Sequence, residues 1–150
     1  VTDQRAARLL AVALHEAGRS FRRGGEAAAG LAPLPPTELE VVRAVGDHPG
    51  IRVSDVAAAL ALQPSNVSTA VRALVGRGLV VREVDPGDRR AVRLRQTDQA
   101  VRDRDALEAA WAGMVGAALA ELSAEQRSVL AGAGPALRAL SDQLTRQLGH

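Results

Sequence analysis

The sequence predicts a mainly α-helical chain with one small β-hairpin, an α+β fold, and three observations carry that prediction. Apolar residues recur at three- and four-residue steps through most of the 150 residues, the spacing of amphipathic helices. Core material is almost entirely Ala, Val and Leu, with one Phe, one Trp and no Tyr, a composition that favours helices. Against that background a single stretch, 79–95, alternates at period two on either side of a Pro-Gly turn. A chain of this length is one domain's worth and can bury roughly 70% of its unfolded surface.

The elements follow in order. From Thr2 to Arg23 the apolar positions Ala6, Leu9, Leu10, Ala13, Leu14 and Ala17 lie on one helical face, and Gly24-Gly25 is expected to end that helix. A loop closed by Pro33, Pro35 and Pro36 follows. Thr37-Glu38-Leu39-Glu40 matches a capping box, so a second helix should run to about Gly46 with Leu39, Val42 and Val45 inward. After the turn 47–50, residues Ile51–Val53 suit a brief strand, and a short helix through Ala61 should bury Val56, Ala57 and Leu60. Pro64 fits the first position of the next helix, where its missing N–H costs nothing. That helix sets Val67, Val71 and Leu74 on one stripe and Ser65, Asn66, Ser68, Thr69 and Arg72 on the others, until Gly76 and Gly78 end it. The strands 79–84 and 91–95 follow, with Val92 and Leu94 alternating against Arg93 and Arg95 around a tip of Asp85-Pro86-Gly87-Asp88-Arg89-Arg90. Thr97 should cap a long helix over 97–122 that aligns Leu107, Trp111, Val115, Ala118 and Leu122. Ser123-Ala124-Glu125-Gln126 is a second capping box, opening a final helix with Leu130, Leu137, Leu140, Leu144 and Leu148, broken near Gly134 by Gly132, Gly134 and Pro135.

Helix, turn, helix and hairpin in that order make a winged helix-turn-helix over 37–95. A helix pair alone is weak evidence for DNA binding; the hairpin beside it sharpens the case. The major groove of B-DNA admits one helix, whose first turns meet the base edges, and Ser65, Asn66, Ser68 and Thr69 are short polar side chains in that position. Asn66 has the two-sided amide that pairs with adenine, and Arg72 can reach phosphate or guanine. Arg89 and Arg90, at the tip of a narrow hairpin, suit the minor groove, with Asp88 expected to hold Arg90 extended. Charge placement agrees. All nineteen basic residues are Arg; seven lie in 72–95 against three acids, a local +4, while the other 126 residues carry twelve Arg and fourteen acids. Positive charge is gathered on the segment proposed to face phosphate.

The segment PSNVSTAVRALVGRGLV and the wing DPGDRRAVRLRQTD resemble the multiple-antibiotic-resistance-regulator (MarR) family, and the likeness in helix order covers almost the whole chain. The D-x-R wing at Asp88 to Arg90, followed by Leu94 to Thr97, is its most specific part. By that resemblance Ser65 to Arg72 take the place of the family's recognition helix, and Asp88 and Arg90 that of its wing pair. The resemblance implies a homodimer clasped through its first and last helices (1–24 and 123–150), set on a palindromic operator, and repression relieved by a small anionic or phenolic effector. Dimerisation also has an argument in the residues themselves: the stripes containing Leu9, Leu10 and Leu14, and Leu137, Leu140 and Leu144, flank the lobe with no third layer to cover them. Two departures from the family pattern stand out: Gln63 occupies a helix-cap position where Ser or Thr is usual, and aromatic residues for a ligand pocket are scarce. His15, His48 and Trp111 are the candidates for such a pocket.

Other functions find less support. The absence of Cys excludes disulfides, thiolate metal sites and thiol-based peroxide sensing. Three scattered His make no metal centre, and no cofactor is expected. No apolar run approaches the ~20 residues that span a bilayer, and Thr2-Asp3-Gln4-Arg5 is unlike a signal peptide, so the expectation is a cytoplasmic protein. An architectural protein that coats DNA regardless of sequence is the alternative. A small helical enzyme or acyl-ligand carrier ranks last, because no nucleophile–base pair or paired carboxylates support it.

Overall fold

The computed structural model describes residues 3–85, 87–88 and 91–148, with residue 148 described by its backbone alone. Seven helices and three strands lie within these residues: α1 Gln4–Ala28, α2 Pro36–Asp47, β1 Ile51–Arg52, α3 Val53–Ala59, α4 Pro64–Gly76, β2 Val80–Val84, β3 Val92–Gln96, α5 Asp98–Ala120, α6 Ala124–Ala131 and α7 Gly134–Leu148. By contact the chain divides into two compact units, Val1–Pro33 with Asp103–Ala120, and Leu34–Arg102 with Glu121–His150.

In the second unit, a valine-rich core gathers Val41, Val42 and Val45 from α2, Val56 and Ala57 from α3, and Val67, Ala70, Val71 and Leu74 from α4. Val80, Leu94 and Ala100 complete it from β2, β3 and α5. Each fully buried Val or Leu contributes about 1.5–3 kcal/mol of transfer free energy, which is how a core without aromatic rings holds three short helices to a sheet. The stripe expected on α4 is as found; on α3 Val56 and Ala57 are buried, but the helix ends at Ala59, short of the expected Ala61, and Leu60 at its C-cap is only half-buried. On α2, however, Val41 is buried and Leu39 only half-buried. The capping box at Thr37 does not form, because Pro36 opens the helix two residues earlier than expected and Pro35 takes the cap position without a side-chain bond.

The turn between α3 and α4 carries an exception to ordinary backbone preference. Ala61 adopts φ 52°, in the left-handed region, at a cost of about 1–2 kcal/mol for a residue with a Cβ. Two bonds across the turn hold it there, Ala61 N–H to the Ala58 carbonyl (3.3 Å) and Leu62 N–H to the Ala57 carbonyl (3.0 Å), and Leu62 packs against the core. At the far end of α4, Gly78 has φ 72°, and its N–H and that of Leu79 close on the carbonyls of Val75 and Leu74. This sends the chain directly into β2.

The strands form an antiparallel sheet of order β1-β3-β2, so the expected hairpin gains β1 as a third member. Ile51 pairs with Leu94 and Arg52 with Arg93, while Val80 to Val84 run against Gln96 to Val92. Thr97 then closes the sheet onto α5. Its Oγ1 accepts the Ala100 N–H (3.1 Å) and donates to the Gly78 carbonyl (2.7 Å), as a helix cap that also anchors the preceding turn. The capping box at Ser123 and Gln126 forms in full. The last helix breaks as its glycines require, with Gly132 capping α6 and α7 starting at Gly134.

In the first unit, α1 continues to Ala28 rather than ending at Gly24-Gly25. Those glycines serve close packing. A Cβ on Gly25 would lie 2.2 Å from Nε1 of Trp111, and one on Gly24 2.7 Å from the Met114 methyl. Phe21 meets Trp111 at a ring separation of 6.1 Å, tilted by 59°. Of the face expected on α5, Leu107 and Trp111 are half-buried while Val115 and Ala118 are exposed.

Candidate nucleic-acid interface

Four buried residues, Val67, Ala70, Val71 and Leu74, fix α4 by one face, and the same periodicity turns its other faces outward. Ser65, Asn66, Thr69 and Arg72 are exposed there, and Ser68 is half-buried. The structure thus brings together on one short helix the polar residues that the sequence pattern singles out. Thr69 differs from the rest because its hydroxyl already donates to the Ser65 carbonyl (3.0 Å), leaving only acceptor capacity. Gln63 holds the cap position without a side-chain bond, so the first N–H groups of α4 have no side-chain acceptor at the cap. An ion pair from Arg77 Nε to Glu38 (3.2 Å) ties the end of α4 to the start of α2.

Arg89 and Arg90 lie outside the described residues, and with them the expected contact between Asp88 and Arg90. Asp88 is exposed and its backbone closes the turn, with N–H to the Asp85 carbonyl (3.3 Å) and its own carbonyl to the Ala91 N–H (2.9 Å). The residue that organises this region is Asp85, which sequence reasoning had counted only as one acid of the tip. It is 2% exposed. Its Oδ2 accepts from Arg93 Nε (2.7 Å) and Arg52 Nη2 (3.1 Å), and its Oδ1 accepts from the Gly87 N–H (2.8 Å). The Arg93 hydrogen bond foremost, then the Gly87 N–H and Arg52, hold the carboxyl well below the usual carboxylate range against the opposing effect of burial. Asp85 in turn raises Arg93. Arg52 was legible only as a residue of a brief strand; the pairing of that strand with β3, across forty residues of chain, is what brings it here.

The leucines assigned to dimer contacts are largely uncovered: Leu9 is 65% exposed, and Leu10, Leu14, Leu137 and Leu144 are exposed too, with Leu140 half-buried. His15 and His48 are exposed, and among the described residues neither makes a hydrogen bond or ring contact with Trp111. The Trp111 Nε1 is buried with no hydrogen-bond partner among the described residues. No group of three or more His, Cys, Asp or Glu there could hold a metal ion, and no helix is long and apolar enough to cross a membrane.

A helix with an outward polar face, set by two shorter helices and flanked by a basic three-stranded hairpin sheet, defines the winged helix-turn-helix class. Residues 32–91 match the model of the MarR family. Among solved structures, a Pseudomonas aeruginosa protein is 27% identical, with 93% of this chain and 98% of that one aligned at a TM-score of 0.73. A MarR family protein from Bacillus stearothermophilus aligns over 97% and 99% at 19% identity, TM-score 0.71. Streptococcus pneumoniae FabT, solved in complex with DNA, aligns over 93% and 99% at 18% identity, TM-score 0.63. No curated protein matches the sequence. Residues 32–91 are thus similar to the MarR family, and the chain carries the fold of its solved members.

Proposed function

We propose that this DNA-binding transcription regulator acts as a homodimeric repressor on a palindromic operator, reading bases with α4 in the major groove and the wing arginines in the minor groove. The observation that carries the reading is the division of α4 into a buried aliphatic stripe and an outward set of Ser65, Asn66, Ser68, Thr69 and Arg72. A helix held rigidly from behind can present short polar groups to base edges in a fixed register. FabT, a chain of the same fold, was solved in complex with DNA, which supports a DNA-binding role for this fold here. Asn66 takes the specific role, pairing with adenine through its amide, and Arg72 a role toward phosphate or guanine. Arg89 and Arg90 enter the minor groove beside Asp88.

The proposed dimer joins the ends of the chain, 1–24 and 123–150, through the stripes containing Leu9, Leu10, Leu14, Leu137, Leu140 and Leu144. The lobe 37–95 binds DNA and α5 connects it to the dimer helices. Exposed leucines of this number need a cover, and a second copy supplies it by symmetry. A small aromatic or anionic effector relieves repression. The unpaired Trp111 N–H supports a polar ligand near that ring, and His15 and His48 remain the other candidate contacts.

Binding titrations on operator and scrambled duplexes test the assignment. Asn66→Ala lowers the preference for operator by about 1–3 kcal/mol at one base position per half-site and leaves scrambled-duplex affinity nearly unchanged. Equal losses on both duplexes would remove Asn66 from base reading, and equal affinity of the native protein for both would favour an architectural role instead.

A further inference from the structure

Arg52 and Arg93 stand next to one another in the register of β1 and β3, on the sheet face opposite Leu94, whose side chain enters the core. Both guanidiniums bind the same oxygen, Oδ2 of Asp85, so their bonded nitrogens can be no farther apart than those two short bonds laid end to end. Each side chain nevertheless keeps nearly half its surface, 49% for Arg52 and 45% for Arg93, while the carboxylate beneath is covered. The arrangement differs from an ordinary surface ion pair in this respect. The anion is hidden and two cations are shown.

Donor accounting points the same way. A guanidinium has five N–H donors. Arg52 spends Nη2 and Arg93 spends Nε on Asp85, and among the described residues neither has another hydrogen-bond or ion-pair partner. The unused donors belong to two adjacent forks with a net charge of +1 for the triad. The stem of Arg93 runs past Gly50, where an added Cβ would lie 3.7 Å from its Cδ. On the same sheet face Arg95 is paired one-to-one with Glu83 at 3.1 Å, so its charge is balanced, whereas Arg52 and Arg93 share a single carboxylate.

We propose that Arg52 and Arg93 form a second DNA contact, a clamp on one backbone phosphate at the root of the wing, with Asp85 as its positioning residue. The proposal rests on the DNA-binding reading above and adds a ligand group to it. Two converging forks match the tetrahedral face of a phosphodiester, which accepts several N–H groups at once. Such a contact fixes the protein on the duplex without reading sequence. The buried carboxylate gives up one unit of charge and in exchange holds two long side chains that would otherwise be free to sample many rotamers.

The test is the salt dependence of binding to a labelled duplex of random sequence. Neutralising one phosphate contact lowers the slope of log K against log salt by about 0.9. Arg52→Gln/Arg93→Gln therefore loses about that much slope, with a similar proportional loss of affinity on operator and random duplex, and Arg52→Lys/Arg93→Lys recovers most of it. Asp85→Asn gives a sign test. It removes a negative charge, so simple attraction would tighten binding, whereas loss of positioning weakens it several-fold. Thermal melting and circular dichroism of each variant show that the fold is retained, and the Gln and Lys pairs, which keep Asp85 in place, carry the test if the Asn variant does not fold. An unchanged slope in the Gln variant, with the native protein binding normally, overturns the clamp. Failure of the native protein to bind any duplex overturns the DNA-binding reading along with it.

Discussion

Gly25 and Trp111 show how much one hydrogen atom can decide. The indole N–H lies against the backbone of α1, where a methyl group would meet it at 2.2 Å, and Trp111 cannot retreat without losing its contact with Phe21. Gly25→Ala is expected to destabilise the protein by about 1–3 kcal/mol despite the better helix propensity of Ala. Melting temperature reads the effect, and in a Trp111→Leu background the cost of the same change should shrink, since the atom that clashes is gone. The sequence displayed these two glycines as a helix end because a Gly pair is ordinarily a stop signal. Their packing role depends on a residue eighty-six positions away, and no local pattern reveals it. Asp85 was hidden for a similar reason: its partners come from a strand thirty-three residues before it and another eight residues after.

Among the elements, α3, α4 and the hairpin were legible because their signals are local: a 3.6-residue stripe, a proline at a helix start, a period-two run around a turn. What escaped was set by pairing and competition. Two residues of β1 make a weak strand signal, and only the ladder with β3 makes them part of a sheet. Thr37 had the right neighbours for a cap but lost the position to the prolines before it, which enter a helix more readily than they can precede one. Thr97 won the corresponding contest at the head of α5. Its hydroxyl serves the helix and the Gly78 carbonyl together, so Thr97→Val, which keeps the shape and removes the oxygen, should cost about 1–2 kcal/mol. Hydrogen exchange provides a local check: the Ala100 amide should lose protection in the variant, while the amides of α6, capped independently by Ser123, should not change.

For the molecule as a whole, the polar and apolar surfaces make separate demands. The exposed leucines of α1 and α7 predict a particle of twice the 15.6 kDa chain mass in sedimentation equilibrium. Leu10→Asp should shift that equilibrium toward single chains and weaken operator binding at least tenfold, because each half-site would then be held alone. A native protein that sediments as one chain at micromolar concentration would remove the dimer from the proposal. The proposed dimer was legible from the chain only as uncovered stripes, since a surface that a second copy would cover looks in sequence like a core without contents.

The shared oxygen of Asp85 has a mechanical consequence. Because Arg52 of β1 and Arg93 of β3 both end on one carboxylate, the tip cannot swing away from the sheet at Asp85 without parting both bonds together, and the conformational freedom of those side chains is surrendered when the protein folds. A stiff caliper of this kind leaves accommodation to the softer body. On the proposed operator a mismatch in span would be taken up by bending of the duplex, so flexible base steps far from every side chain would still influence how tightly the protein holds on.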